Sequence, residues 1–159
     1  MKPDSGFAEL AAATHFSFLR GAASPSDMVA EAIAQGHRGL GIADRNTVAG
    51  VVRAHVSLRD ALEKAEEEGR DLGDFHFRLV VGARLVFADA TPDIIVHPAT
   101  RAGWGRLTRL LTLGNRRVEK GQCHLIFEDF ADHAGDWLAI QLPPEPGQQS
   151  RLPDLKDLL

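Results

Sequence analysis

The feature that most constrains the fold of this chain is alternation. Short apolar runs bounded by glycine alternate with helix-length amphipathic stretches, and a layered α/β domain buries both. Phe7–Ala12 predicts a first strand and Gly39–Ala43 a second. Between them, Ser24-Pro25-Ser26-Asp27 reads as a helix start: a serine cap, proline in the first turn and an acid three residues past the cap. Met28, Val29, Ala32 and Ile33 form its apolar face, and Gly36 is its stop. From Thr47 to Glu68 the stripe Val51, His55, Leu58, Leu62, Ala65 predicts a long amphipathic helix with His55 half-buried.

Further along, Phe77–Val81 and Arg84–Phe87 read as two strands separated by Gly82-Ala83, and Asp93–Val96 as another. Gly103–Leu113 predicts a helix carrying Trp104, Leu107, Leu110 and Leu111, ended by Gly114. Phe127–His133 predicts a short helix and Trp137–Leu142 a last strand. Strands alternating with helices imply βα units and a mostly parallel sheet. Residues 1–142 read as one domain, and residues 143–159, rich in Pro, Gln and charge, as a tail or linker.

At 159 residues the chain has the length of one domain and is long enough to bury a core. Its net charge of −4 gives no overall attraction to nucleic acid, though it leaves room for a local basic patch. A single cysteine, Cys123, permits no internal disulfide, which fits a reducing compartment. The N-terminus has no apolar signal core, and no apolar run approaches the ~20 residues that span a bilayer. The expectation is a cytoplasmic protein with no membrane contact.

The segment Glu9–Ala22, ELAAATHFSFLRGA, carries the chemistry. It resembles the opening of the PHP (polymerase and histidinol phosphatase) domain of bacterial C-family DNA polymerase α subunits, whose pattern runs roughly E-L-H-x-H-S-x-F-S-x-L-x-G-A. Glu9, Leu10, Phe16, Ser17, Leu19, Gly21 and Ala22 match that pattern, while its two histidine positions are Ala11 and Ala13. Gly39–Arg45 resembles the family's apolar strand ending in T-D-H: Asp44 keeps the acid, Ala43 replaces the threonine and Arg45 the histidine. Leu79–Leu85 resembles the strand ending in G-x-E-L, with Arg84 in place of the glutamate. Residues 94–114 resemble the family's strand followed by a G-Y-x-x-L-x-x-L helix. Within the family, HFSFLRGA, GIADRNTVAGVVRAH, VVGARLVF and RLTRLLTLGNRR resemble the error-prone, damage-inducible branch, which shares these departures. The resemblance covers roughly residues 7–142 and implies a partial, distorted βα barrel, the N-terminal part of a PHP domain.

A PHP hydrolase uses His, Asp and Glu to hold metal ions that activate water and clamp a phosphate. Of the matched ligand positions, Ala11 and Ala13 offer no lone pair, Arg45 and Arg84 bring permanent positive charge, and Asp44 alone remains. The expectation is a degenerate site without metal or catalytic residues. Asp44 would pair with Arg45 or Arg84, or the two arginines would bind a phosphate, or they would simply point into solvent. His15 reads as a surface or hydrogen-bonded histidine and His37 as part of a loop, and His76, His97, His124 and His133 show no ligand spacing with one another.

A second feature is basic. Arg106, Arg109, Arg116, Arg117 and Lys120 lie in a window with one acid, Glu119. Arg106 and Arg109 are expected on the outer face of a helix, and the other three in the loop after it. They form a candidate surface for DNA or an acidic partner, or simply a solvated face.

The resemblance implies a catalytically silent, structural or docking domain of an error-prone DNA polymerase α subunit acting in DNA repair and translesion synthesis. The polymerase domain of such a protein would bind Mg, and this chain no cofactor. Its partners would be the remainder of the polymerase, other translesion-synthesis proteins, and DNA through the whole protein. Two alternatives stand beside this one. One is a phosphoesterase or exonuclease whose metal site is rebuilt from Asp44, His15 and His97. The other is a free-standing interaction module, with a homodimer covering exposed sheet edges.

Overall fold

The structure, a computed structural model, describes residues 6–69 and 75–144. Most of the expected tail, residues 145–159, lies outside the described residues. The chain forms two compact units, Met1–Gly82 and Ala83–Leu159.

The first unit begins with β1 (Ala8–Ala12), α1 (Pro25–Ala34), β2 (Gly39–Arg45) and α2 (Ala49–Glu67), and ends within β3 (Arg78–Leu85). β1 and β2 run parallel, as a helical crossover requires. Their register slips by one residue between Glu9 and Ala12, a bulge that leaves one extra residue in β1. α1 starts where the sequence places it: the Ser24 side chain accepts a hydrogen bond from the Asp27 N–H, with proline in the first turn. Gly36 follows with φ of +75°, a conformation that favours glycine. Val29 and Ala32 of α1 and Leu40, Ile42 and Ala43 of β2 are buried. In α2 the buried residues are Gly50, Val51 and Ala54. The stripe therefore passes through Ala54 rather than His55, which is exposed. The step from Val51 is three residues, not four, and the helix turns the imidazole outward.

The second unit holds the end of β3, then β4 (Ile94–Pro98), α3 (Arg101–Arg116), α4 (Phe127–His133) and β5 (Trp137–Gln141). β4 pairs antiparallel with both β3 and β5, so the sheet is mixed rather than mostly parallel. The reasons are geometric. The connection from Leu85 to Ile94 is too short for a crossover, which needs a dozen or more residues. After β4 the chain runs out along α3 and returns to the end it left. There Ala99 N–H bonds the Asp136 carbonyl at 2.8 Å, and Trp137 pairs with Pro98.

β3 is one continuous strand where the sequence suggested two. Gly82 and Ala83 are buried in it, so the small residues serve packing and do not break the strand. Likewise α3 runs through Gly114 to Arg116 and starts at Arg101, capped by Thr100. Its glycines are contact points. A Cβ at Gly114 would lie 2.6 Å from Cys123 Sγ, and the Gly103 carbonyl accepts the Trp137 Nε1–H at 2.7 Å. Leu107, Leu110, Leu125, Phe130, Ile94 and Ile95 are fully or almost fully buried and form the core of this unit. Phe130 sits edge-on to Phe87 and 5.7 Å from the Trp137 ring.

Candidate functional site

β2 is an apolar strand that ends in an acid, and its burial carries through to Asp44, which has no exposed surface. A buried carboxylate needs donors, and the segment after β1 supplies three. Thr14 N–H bonds Oδ1 at 2.7 Å, Thr14 Oγ1–H bonds Oδ2 at 2.8 Å, and Ser17 Oγ–H bonds Oδ1 at 2.6 Å. Thr14 and Ser17 are themselves buried. Each hydroxyl also accepts a hydrogen bond: Phe16 N–H to Thr14 Oγ1 at 3.1 Å and Arg45 N–H to Ser17 Oγ at 3.0 Å. The loop folds back on itself through Ser17 N–H to the Thr14 carbonyl and Gly21 N–H to the Ser17 carbonyl.

The first turn of α2 closes over this network. A Cβ at Gly50 would lie 2.5 Å from Asp44 Oδ2 and 3.0 Å from Thr14 Oγ1, so only glycine fits there. The N-terminal turn of a helix also favours an adjacent anion. Asp44 is thus the centre of a buried hydrogen-bond lock joining β2 to the loop from Thr14 to Gly21, with α2 packed against it.

The other expected site residues lie elsewhere or offer no donor. Ala11 is exposed on the β1 bulge, where its N–H bonds the Glu9 carboxylate at 2.6 Å. Ala13 is half-buried. Arg45 follows Asp44 but its side chain is exposed. The expected ion pair on Asp44 gives way to the neutral donors of Thr14 and Ser17. Arg84 takes a different acid, bonding Asp93 Oδ2 through Nε and Nη2, each at 2.7 Å. His15 is exposed and packs 4.6 Å from the Phe16 ring, and His97 is buried in β4. Among the described residues no three of His, Cys, Asp and Glu come together as a metal-binding group.

These residues do not fit the metal cluster of a PHP hydrolase. Two positions are methyl groups, two are guanidinium groups, and the remaining carboxylate is occupied by three hydrogen bonds.

The basic residues gather on the outer face and end of α3. Arg106, Arg109 and Arg116 are exposed, and Arg116 belongs to the helix rather than to the loop. Arg106 lies 3.9 Å from Asp136. Arg117 makes a forked pair with Asp129, its Nη2 at 2.7 Å from Oδ1. That guanidinium holds the Asp129 carboxyl below the usual carboxylate range, against the opposing effect of burial. Asp129 also accepts the Ile126 N–H and so anchors the start of α4. Lys120 is exposed in the turn that follows. Burial pushes the Cys123 thiol up, away from reactivity.

Sequence reasoning missed Thr14 and Ser17 as partners of Asp44. The available signal was an apolar strand running into an acid, together with two hydroxyls three residues apart after the preceding strand.

Geometry therefore defines an α/β protein in which a buried strand-end acid is held by two hydroxyls and a backbone amide. The family model for the PHP domain matches residues 9–154, and the chain belongs to that family. It is 48% identical over 150 residues to error-prone DNA polymerase 1 of Rhizobium meliloti and 47% identical to the error-prone DNA polymerase of Sinorhizobium medicae. The error-prone DNA polymerase of Brucella abortus is 45% identical over 151 residues. Each match covers 92% of this chain, and the chain spans only 12–13% of those proteins' length. A crystal structure of a proposed metal-dependent phosphoesterase from Bifidobacterium adolescentis overlaps more loosely. Its TM-score is 0.47 at 20% identity, covering 72% of this chain and 35% of that one. No helix among the described residues is long and apolar enough to cross a membrane.

Proposed function

We propose that this chain is a PHP domain of an error-prone DNA polymerase in which metal-dependent hydrolysis has given way to a structural role. The whole protein would be a DNA-directed DNA polymerase of the cytoplasm, active in translesion synthesis, with Mg ions in a separate polymerase domain. This domain would support the polymerase core and dock to it or to other repair proteins. The observation that carries the reading is the state of Asp44: both carboxylate oxygens are consumed by Thr14 and Ser17, beside alanines at positions 11 and 13. The identity to error-prone polymerases supports the rest.

Metal content tests the proposal. The purified protein is incubated with Mn and Zn, desalted exhaustively and measured by inductively coupled plasma mass spectrometry. The expected content is below about a tenth of an equivalent. A full equivalent that disappears in Asp44→Asn would overturn the silent reading and restore the hydrolase.

A further inference from the structure

We propose that the outer face of α3 binds the phosphate backbone of double-stranded DNA. This stands on the geometry of α3 and not on the polymerase assignment. Thr108, Arg109, Thr112, Leu113, Arg116 and Arg117 line a concavity of about 570 Å³ along the helix. Its lining holds three guanidinium groups and no carboxylate. Arg117 is balanced and fixed in place by Asp129. Arg109 and Arg116 are exposed and make no ion pair with any described residue, so two positive charges stand open.

The spacing suits a polyanion. Arg109 and Arg116 are two helical turns apart, about 10 Å along the axis. Two charges this far apart can each meet a phosphate of one DNA backbone. The threonine hydroxyls bond inward, Thr108 to the Trp104 carbonyl at 3.0 Å and Thr112 to the Thr108 carbonyl at 2.7 Å. The guanidinium groups are therefore the outward donors, and their fork matches phosphate oxygens.

What the groove lacks selects the partner. No aromatic ring lines it, so bases have nothing to stack on, and stacking is what holds single strands. What the groove offers is positive charge, which the regular phosphate rows of a duplex satisfy. The net charge of −4 confines the attraction to this face and keeps it weak and salt-sensitive.

The test is fluorescence anisotropy of this chain with a labelled duplex of about 20 base pairs, titrated across salt concentration. Two phosphate contacts predict a slope of log K against log salt near −2, a loss of about tenfold between 50 and 200 mM. The double variant Arg109→Ala, Arg116→Ala should abolish the salt-dependent binding, with circular dichroism confirming an unchanged fold. Arg59→Ala, on α2, should bind as the unaltered protein does. Three results would each overturn the proposal: no binding at low salt, binding untouched by the double variant, or tighter binding of a single strand of equal length.

Discussion

Replacing Asp44 separates a structural carboxylate from an idle one. In Asp44→Ala three donors lose their acceptor in a site closed to water: the Thr14 N–H and the hydroxyls of Thr14 and Ser17. A buried unsatisfied donor costs about 1–3 kcal/mol, and the two hydroxyls can partly recover by turning to other acceptors. The amide cannot, so the sum is about 3–5 kcal/mol. Asp44→Asn is milder. Its carbonyl oxygen can still accept from Thr14 N–H and Ser17 Oγ–H, and its amide can donate to Thr14 Oγ1. What is lost is the charge assistance, about 1–2 kcal/mol. Urea denaturation followed by far-UV circular dichroism reads both. With a slope of about 1–3 kcal/mol per molar, the alanine variant should unfold roughly 2 M earlier in urea and the asparagine variant under 1 M earlier. An alanine variant within about 0.5 kcal/mol of the unaltered protein, the range of an ordinary surface substitution, would refute the hydrogen-bond lock.

Two glycines of α3 should respond in opposite directions to alanine. Gly114→Ala drives a Cβ to 2.6 Å from Cys123 Sγ and 2.7 Å from a Leu125 methyl, and overpacking of this kind costs about 1–3 kcal/mol. Gly105→Ala meets nothing within 4 Å and should stabilise the helix by about 0.5–1 kcal/mol; thermal melting compares the two. The Arg117–Asp129 pair should give an acid-sensitive contribution. The Asp129 carboxyl is depressed in the folded protein. Its contribution is therefore full above the usual carboxylate value near ~4 and is lost as pH falls through the lower folded value. Stability measured down that range should fall less steeply in Asp129→Asn than in the unaltered protein, and equal slopes would count against the pair.

Much of this fold was legible because local chemistry agreed with tertiary structure. Ser24-Pro25 fixed the start of α1, and Phe127–His133 emerged as α4 with the same bounds. Errors arose where a residue's local meaning yielded to packing. Gly82 and Gly114 read as punctuation, yet both are buried small residues inside continuous elements. His55 read as part of an apolar stripe because a step of four looks as helical as a step of three. Antiparallel pairing of β4 with β5 depended on where two helices returned the chain, which no local pattern records. At the site, the loss of lone pairs at Ala11 and Ala13 was readable from residue identity alone. The partners of Asp44 were not, because nothing local showed that Thr14 and Ser17 turn inward from a loop whose Phe18 and Leu19 are exposed.

The bonds to Asp44 also bear on reversibility. Histidines placed at positions 11 and 13 would supply two lone-pair donors but leave the acid committed to Thr14 and Ser17. Freeing it would break the lock before any ion could compensate, so the step that releases Asp44 for a metal lowers stability. The arrangement has the character of a ratchet: the domain's stability rests on contacts that a metal site at Asp44 would first have to break.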